Sequence, residues 1–500
     1  TTLIKANTAT DNLAIGTDAG LTAQGDNTVA VGHQAGETAQ GANSTAVGRQ
    51  AGETAQGDNA VAVGSSAGQT SQGAQAVAIG YQAGLTAQGA DSTAVGREAG
   101  ETSQGADSTA VGREAGKSNQ ATYAVAVGYA AGFTVQGTQS VAVGREAGKT
   151  SQGSIATAVG MSAGRLSQSI RAVAVGAYSG ESEQGEYAVA MGWKAGQTSQ
   201  ENVAVAVGFE AGTSQQGVNA IAVGRQAGET SQGAQAIAIG MYAGKSQQGN
   251  YATAMGYVAG SNQQGAAATA IGREAGQVSQ GGDATAVGRQ AGNSEQGVKS
   301  TAVGYYAGNV SQGNQAVAVG REAGQTKQGV DAVAVGWAAG ETSQGNQVVA
   351  VGRAAGQTEQ GVQAIAMGYR AAQTTQGAYA VAVGTSSGLQ AQGSQAVAVG
   401  YLAGATSQGT IAVAVGRQAG RTSQGAAAIA VGYAAGVTAQ GANSIILNAT
   451  GTTFNATTAS SFNVKPVRGG NYAASALAYT SGFEIVEETN MHFDTSGNVG

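Results

Sequence analysis

The stretch Gly48-Arg49-Gln50-Ala51-Gly52-Glu53-Thr54-Ala55-Gln56-Gly57-Asp58-Asn59-Ala60-Val61-Ala62-Val63-Gly64 decides the fold, because it holds one whole period of the chain. A glycine returns at every sixteenth position from Gly16 to Gly432, which makes 27 repeats without insertion or deletion. A second glycine column, Gly20 to Gly436, fails only at Ala372; a third, Gly25 to Gly441, fails only at Ala121, Ser169 and Glu201. These columns hold 77 of the 84 glycines. Glycine confined to fixed positions marks a stacked repeat and excludes a low-complexity linker.

Between the glycines, each column behaves as part of a folded unit. The residue before the first glycine is always apolar, and the one two places earlier is β-branched in every repeat but the first. The residue between them is alanine in all 27 repeats, including Ala62, Ala190 and Ala318. The segment Val61-Ala62-Val63 therefore reads as a short strand with one β-branched face and one face of methyl groups. A helix is excluded, because the flanking glycines leave no room for three turns. The second segment, Thr54-Ala55-Gln56, ends in glutamine in every repeat (Gln24, Gln152, Gln232, Gln344, Gln440), while the residue before it varies freely. Simple strand alternation puts its threonine on the same side as the glutamine. An invariant glutamine beside a variable position predicts a buried ladder, bonded to the copies above and below or to turn backbone. Glycines then serve the corners, where positive φ or close backbone approach is needed.

The expected fold is all-β: a parallel β-solenoid, or β-roll, of about 27 two-strand coils stacked at ~4.8 Å into a rod on the order of 130 Å long. Composition excludes several alternatives. Collagen needs glycine at every third residue and abundant proline, but proline occurs once; without cysteine there is no disulfide framework. The net charge of −6, with 10% charged residues, supplies no basic face for nucleic acid. No apolar run reaches the ~18 residues of a membrane span, so no membrane insertion is expected in this segment, and no signal-peptide pattern opens the chain. A few alanines and valines per coil cannot by burial alone offset the conformational entropy of sixteen residues. Self-association is the expected remedy: a homotrimer, with the all-alanine column as its close-packed interface.

The runs Asn43-Ser44-Thr45-Ala46-Val47-Gly48 and Ser140-Val141-Ala142-Val143-Gly144 resemble the head repeat of trimeric autotransporter adhesins of the YadA type. That resemblance covers residues 12–444 and implies left-handed parallel β-rolls that trimerise, although the family's coil is usually shorter. Residues 1–11 are then an N-terminal cap or the start of a longer chain, 12–444 the repeat shaft, and 445–500 a β-rich cap or transition region. The C-terminal stretches Ser444–Gly451, Phe462–Arg468 and Phe493–Gly500 resemble the region that follows such repeats in tail-fibre-like proteins of phages and large DNA viruses. There the closing Gly-Asn-Val-Gly leads toward an intramolecular chaperone that is cleaved off.

Catalytic chemistry has little to work with. The two histidines, His33 and His492, are isolated, and the lack of cysteine removes zinc clusters and thiol nucleophiles. Turns such as Gly57-Asp58-Asn59 and Gly105-Ala106-Asp107 lack the calcium-binding β-roll pattern and read as solvated carboxylates. No enzyme activity, cofactor or metal is expected. One column stands apart, directly after the first glycine: ten arginines and ten aromatic residues, among them Tyr81, Arg97, Arg113, Tyr129, Trp193, Phe209, Tyr257 and Trp337. It reads either as a stripe that binds glycans or other surface groups, or as side chains that pack arginine on tyrosine between neighbouring coils. The irregular order of the two residue types favours packing.

The sequence therefore predicts an extracellular structural fibre shaft, on a virion or a cell surface, which holds a distal receptor-binding tip. Its expected partners are copies of itself, the base proteins of that surface, and a host glycan or receptor. The first alternative is an adhesin that binds host glycans along the ridge. The second is an ice-binding solenoid, for which Leu166, Asn262, Val278, Val310 and Gln390 interrupt the threonine column.

Overall fold

A computed structural model describes residues 4–7, 10–466, 476–479 and 485–488. The described regular structure is β throughout, with no helix among the described residues. Two compact units divide the chain, Thr1–Tyr379 and Ala380–Gly500.

In the first unit every coil repeats one plan. The first strand, as in Val61–Val63, pairs in parallel with its copies sixteen residues away, Val61 with Val77, Ala62 with Ala78 and Val63 with Ile79. The second strand, as in Thr70–Gln72, forms its own parallel ladder, Thr54 to Thr70 and Gln56 to Gln72. Backbone amides donate from coil to coil through both ladders and the corners, for example Val61 to the Ala76 carbonyl at 2.9 Å and Gly57 to the Gln72 carbonyl at 2.8 Å. Parallel pairing in strict register places each residue type on its own copy. Ile4–Asn7 pairs antiparallel with Asn12–Ile15 and covers the N-terminal sheet edge.

Alternation along the first strand decides what is inside. Ala62, Ala190 and Ala318 are completely buried, and they meet a second buried alanine column represented by Ala67 and Ala195. The alanines thus fill the interior of a single chain, which corrects the expectation that they form an interface between chains. The sheet spacing inside so thin a coil leaves room for one methyl from each side. The β-branched and apolar neighbours face outward instead.

The second strand departs from simple alternation. Its middle residue sits in the left-handed region, with φ of 55° at both Ala55 and Ser71. That turn of the backbone exposes Thr54 and Ala55 while Gln56 is buried. Threonine and glutamine therefore do not share a side, contrary to the expectation from alternation. Two further non-glycine columns are left-handed, as at Gln50 and Asn59, both with φ of 57°.

Corner glycines answer to two constraints. At Gly64 φ is 133°, and a Cβ would stand 2.5 Å from the carbonyl oxygen of Gly80 in the next coil, so side chains are barred twice over. At Gly68 φ is 53°, which asparagine tolerates, but a Cβ would meet the side-chain oxygen of Gln72 at 2.7 Å. The second glycine column is thus tied to the glutamine ladder. Ala372 stands in this column at φ of 46° and is completely buried, and its second strand, Thr375–Gln376, is as short as Glu359–Gln360 in the coil before, where the glycine is kept.

The second unit continues the plan from Val381–Val383 to Ile429–Gly432 and then changes it. Ile445–Asn448 joins the parallel sheet, but Ile446 takes the register position of Ala430 and is completely buried, with Phe454 and Ala456 packed against that core. Asn448, at the glycine position, donates to the carbonyls of Tyr433 and Thr452 at 2.7 and 2.6 Å. Phe462–Lys465 adds one more parallel strand, and Ala476–Tyr479 pairs antiparallel with Ile485–Glu488. His492 and the closing Phe493–Gly500 lie outside the described residues.

Candidate functional site

Three features of the coil surface carry potential function: the glutamine ladder beneath it, the apolar face of the first strand and the ridge after the first glycine. The ladder is built from below. Gln232 donates to the Ile221 and Ala236 carbonyls at 2.8 and 3.3 Å and to the side-chain oxygen of Gln248 at 3.1 Å. The same amide-to-amide bond links Gln152 to Gln168 (3.0 Å), Gln344 to Gln360 (2.9 Å) and, in the second unit, Gln424 to Gln440 (3.2 Å). Gln24 at the N-terminal end donates to the Gly36 carbonyl and accepts from Thr28 instead. Among the described residues the side-chain oxygens of Gln40, Gln56, Gln72, Gln88 and Gln104 are buried without a donor. Both predicted sets of partners, neighbouring copies and turn backbone, are therefore in use at once.

The outward face of the first strand was assigned no role by sequence. Its columns run Val29, Thr45, Val61 and Val31, Val47, Val63, each half-buried. Larger members stand out: Ile79 is 41% exposed, Met191 43%, Met255 39%, Ile271 39% and Met367 42%. The signal was present in the invariably apolar column before the glycine, which the sequence reading placed on the β-branched face of the strand without saying what that face meets.

Ridge side chains stand beside this face. Tyr81, Tyr129, Trp193, Phe209, Tyr257 and Trp337 are all exposed, yet their ring faces are occupied. Arg97 lies over Tyr81 at 5.9 Å, Arg113 over Tyr129 at 5.2 Å, Arg225 over Phe209 at 5.7 Å and Arg273 over Tyr257 at 5.7 Å. Trp193 stacks on Phe209 with centroids 4.6 Å apart. Trp337 has Arg321 and Arg353 over it at 5.5 and 4.0 Å. Adjacent coils bring these groups to one strand spacing, the distance at which a cation covers a ring.

Arg97, Arg113, Arg273 and Arg321 are held in turn by carboxylates in the following column, which sequence reasoning passed over. Arg97 pairs with Glu98 at 2.8 Å, Arg113 with Glu114 at 3.2 Å, and Lys117 reaches Glu98 at 2.7 Å and Glu101 at 3.2 Å. The hydrogen bond from Lys117 holds the Glu98 carboxyl below the usual carboxylate range against the opposing effect of burial, with Arg97 adding to it. The bond to Glu98 raises Lys117 in return.

Turn carboxylates and amides serve the backbone. Asp58 accepts from the Ala42 amide at 2.8 Å, and Asn202 and Asn250 do the same for Glu186 and Ala234. Asp58 is thus an exposed turn carboxylate that also ties one coil to the next. Among the described residues no group of three or more histidine, aspartate or glutamate side chains is placed to hold a metal ion, and His33 is an exposed side chain.

Comparison with known families finds the YadA head domain repeat at residues 23–51, 39–67 and 71–99. These are coils of the same plan as the rest of the first unit, so the chain carries YadA-like head repeats on an all-β parallel solenoid. No curated protein matches the chain.

Proposed function

We propose that the chain is a non-enzymatic fibre segment, a homotrimer on an extracellular surface, whose stacked coils hold a distal receptor-binding region away from its base. The observation that carries this reading is the outward apolar face of the first strand. It repeats at every coil, and a contiguous exposed apolar strip of that extent is what an obligate interface requires. Each large member leaves roughly 60–80 Å² open, or about 1.5–2 kcal/mol per residue when covered. YadA-like head repeats support a trimer and a surface location, on a virion or a cell.

Two further observations support a packing role for the ridge and the threonine column. Cations lying over the ridge rings from neighbouring coils support packing rather than an open aromatic stripe. Several threonine hydroxyls are engaged with the next coil, as Thr198 is with the Thr213 carbonyl at 3.1 Å, and this works against a uniform ice-binding array.

Light scattering on the purified chain should give three times the chain mass. The double variant Met255→Lys and Ile271→Lys places two charges on each strip and should yield monomers or aggregates. A wild-type monomer with intact β circular dichroism sinks the proposal.

A further inference from the structure

In most coils the space between the ridge and the column four residues further on is occupied. Glu98 fills it by bridging Arg97 and Lys117, and Glu274 does so by pairing with Arg273 and Gln290. At two consecutive coils it is open. The occupant column carries Ala338 and then Ala354, the one place where two alanines follow each other there. The result is a groove of about 300 Å³ lined by Trp337, Arg353 and Tyr369 on the ridge side and by Glu341, Gln357 and Gln373 on the other. Both alanines form its floor.

The chemistry of its walls is directional. Gln373 donates to Gln357 at 2.8 Å and Gln357 to Glu341 at 2.6 Å, so the amide wall is polarised toward Glu341. Glu322, beyond Trp337, is already engaged by Arg321 at 3.0 Å and by the Trp337 indole at 3.2 Å. The opposite end holds two guanidiniums. Arg353 is stacked 4.0 Å from the Trp337 ring and 5.7 Å from Tyr369, and Arg370 lies 5.6 Å from Tyr369. Neither has a salt bridge among the described residues. Of the ten ridge arginines, only Arg353 is followed by alanine, and Arg370 is the only arginine in the occupant column. Both guanidiniums line the cavity outside any ion pair, on a wall whose carboxylates, Glu322 and Glu341, are bonded to Arg321 and Gln357.

We propose that this groove binds an acidic oligosaccharide, with a sugar carboxylate on Arg353 and Arg370 and neighbouring hydroxyls on Gln357, Gln373 and Glu341. Stacking against Trp337 and Tyr369 fixes the Arg353 plane, which suits in-plane, two-pronged recognition of a carboxylate. The amide and carboxylate side chains recur at ~4.8 Å, so the groove spans about 10 Å over two coil steps, the length of two linked sugars. The site differs from the ridge elsewhere: hydrogen bonds recognise the ligand, and covered ring faces are no obstacle. It goes beyond the shaft reading and does not depend on it.

The test is saturation-transfer NMR and calorimetry on the full chain at low salt, with a tetrasaccharide of alternating glucuronate and N-acetylglucosamine as probe and cellotetraose as its neutral counterpart. The acidic probe should bind and the neutral one should bind at least tenfold more weakly. Arg353→Gln and Arg370→Gln should each weaken binding about tenfold or more, as expected for a hydrogen bond to a charged group. Ala354→Glu, which restores the filling carboxylate common elsewhere on the shaft, should abolish it while circular dichroism and chain mass in solution stay unchanged. Absence of binding, equal binding of both probes, or binding that survives Ala354→Glu overturns the proposal. Trimerisation is read separately by light scattering, so either proposal can fail without the other.

Discussion

Replacing Gln216 by methionine keeps the shape of the side chain and removes its polarity, which makes the worth of the ladder measurable. Gln216 donates to the Val205 carbonyl at 2.8 Å and to Gln232 at 3.1 Å, and it accepts from Gln200 at 3.0 Å. It also donates to the Ala220 carbonyl at 3.4 Å, so methionine leaves three acceptors, the Val205 and Ala220 carbonyls and the Gln232 side-chain oxygen, without this donor and breaks the ladder on both sides. With about 1–3 kcal/mol for an unsatisfied buried group and about 1 kcal/mol for each lost neutral bond, the local cost should be roughly 2–4 kcal/mol. The same change at Gln72 offers an internal control. Gln72 donates to the Val61 and Ala76 carbonyls at 2.9 and 3.2 Å, but its own oxygen is buried without a partner. Gln72→Met should therefore cost about 1–2 kcal/mol less. A repeat array opens locally, so a single melting temperature is the wrong readout. Hydrogen exchange followed by mass spectrometry, resolved to the coils around each site, reports the local opening free energy. If the two variants lose equal protection, or if Gln216→Met exchanges like wild type, the ladder does not stabilise the coil.

Two other outcomes follow from the coil geometry. Val203 is β-branched yet sits at φ of 61°, a conformation that asparagine occupies in other coils, as at Asn59; Val203→Asn should stabilise its coil by about 1 kcal/mol, seen as slower local exchange. The Glu98–Lys117 pair should make stability depend on pH in a defined window. Glu98 has a lowered folded pKa, so its contribution is present above the unfolded value of about 4.3 and is lost as pH falls through the folded one. Lys117 is raised, so its contribution is complete below about 10.4 and is lost as pH rises through the folded value. Lys117→Met should cost at most about 1 kcal/mol near neutrality, and its difference from wild type in local exchange should shrink as pH falls below about 4.3 and vanish only below the lowered folded value of Glu98.

Periodicity made the coil legible, because a register of sixteen residues is written in the glycine, alanine and glutamine columns alike. What alternation alone misjudged was facing. The left-handed residue in the second strand, Ala55 or Ser71, carries no single-residue signature, since its column accepts alanine, serine, valine and lysine. Only the Asn27, Asn43 and Asn59 column advertised a positive φ by composition. The alanine column was correctly seen as tightly packed and wrongly placed between chains, because a methyl-only column fits either a thin interior or an interface. Ridge pairing was within reach of the sequence, where Arg113 precedes Tyr129 by one period; the open groove at Ala338 and Ala354 needed the neighbouring side chains in place to be recognised.

The unbroken register between coils has a consequence for heredity. Because residue i always stacks on residue i+16 with the same backbone partners, removing or duplicating sixteen codons within the first unit joins one coil to another with both ladders restored. The number of coils is thus a quantity that recombination between near-identical gene segments can adjust in whole steps.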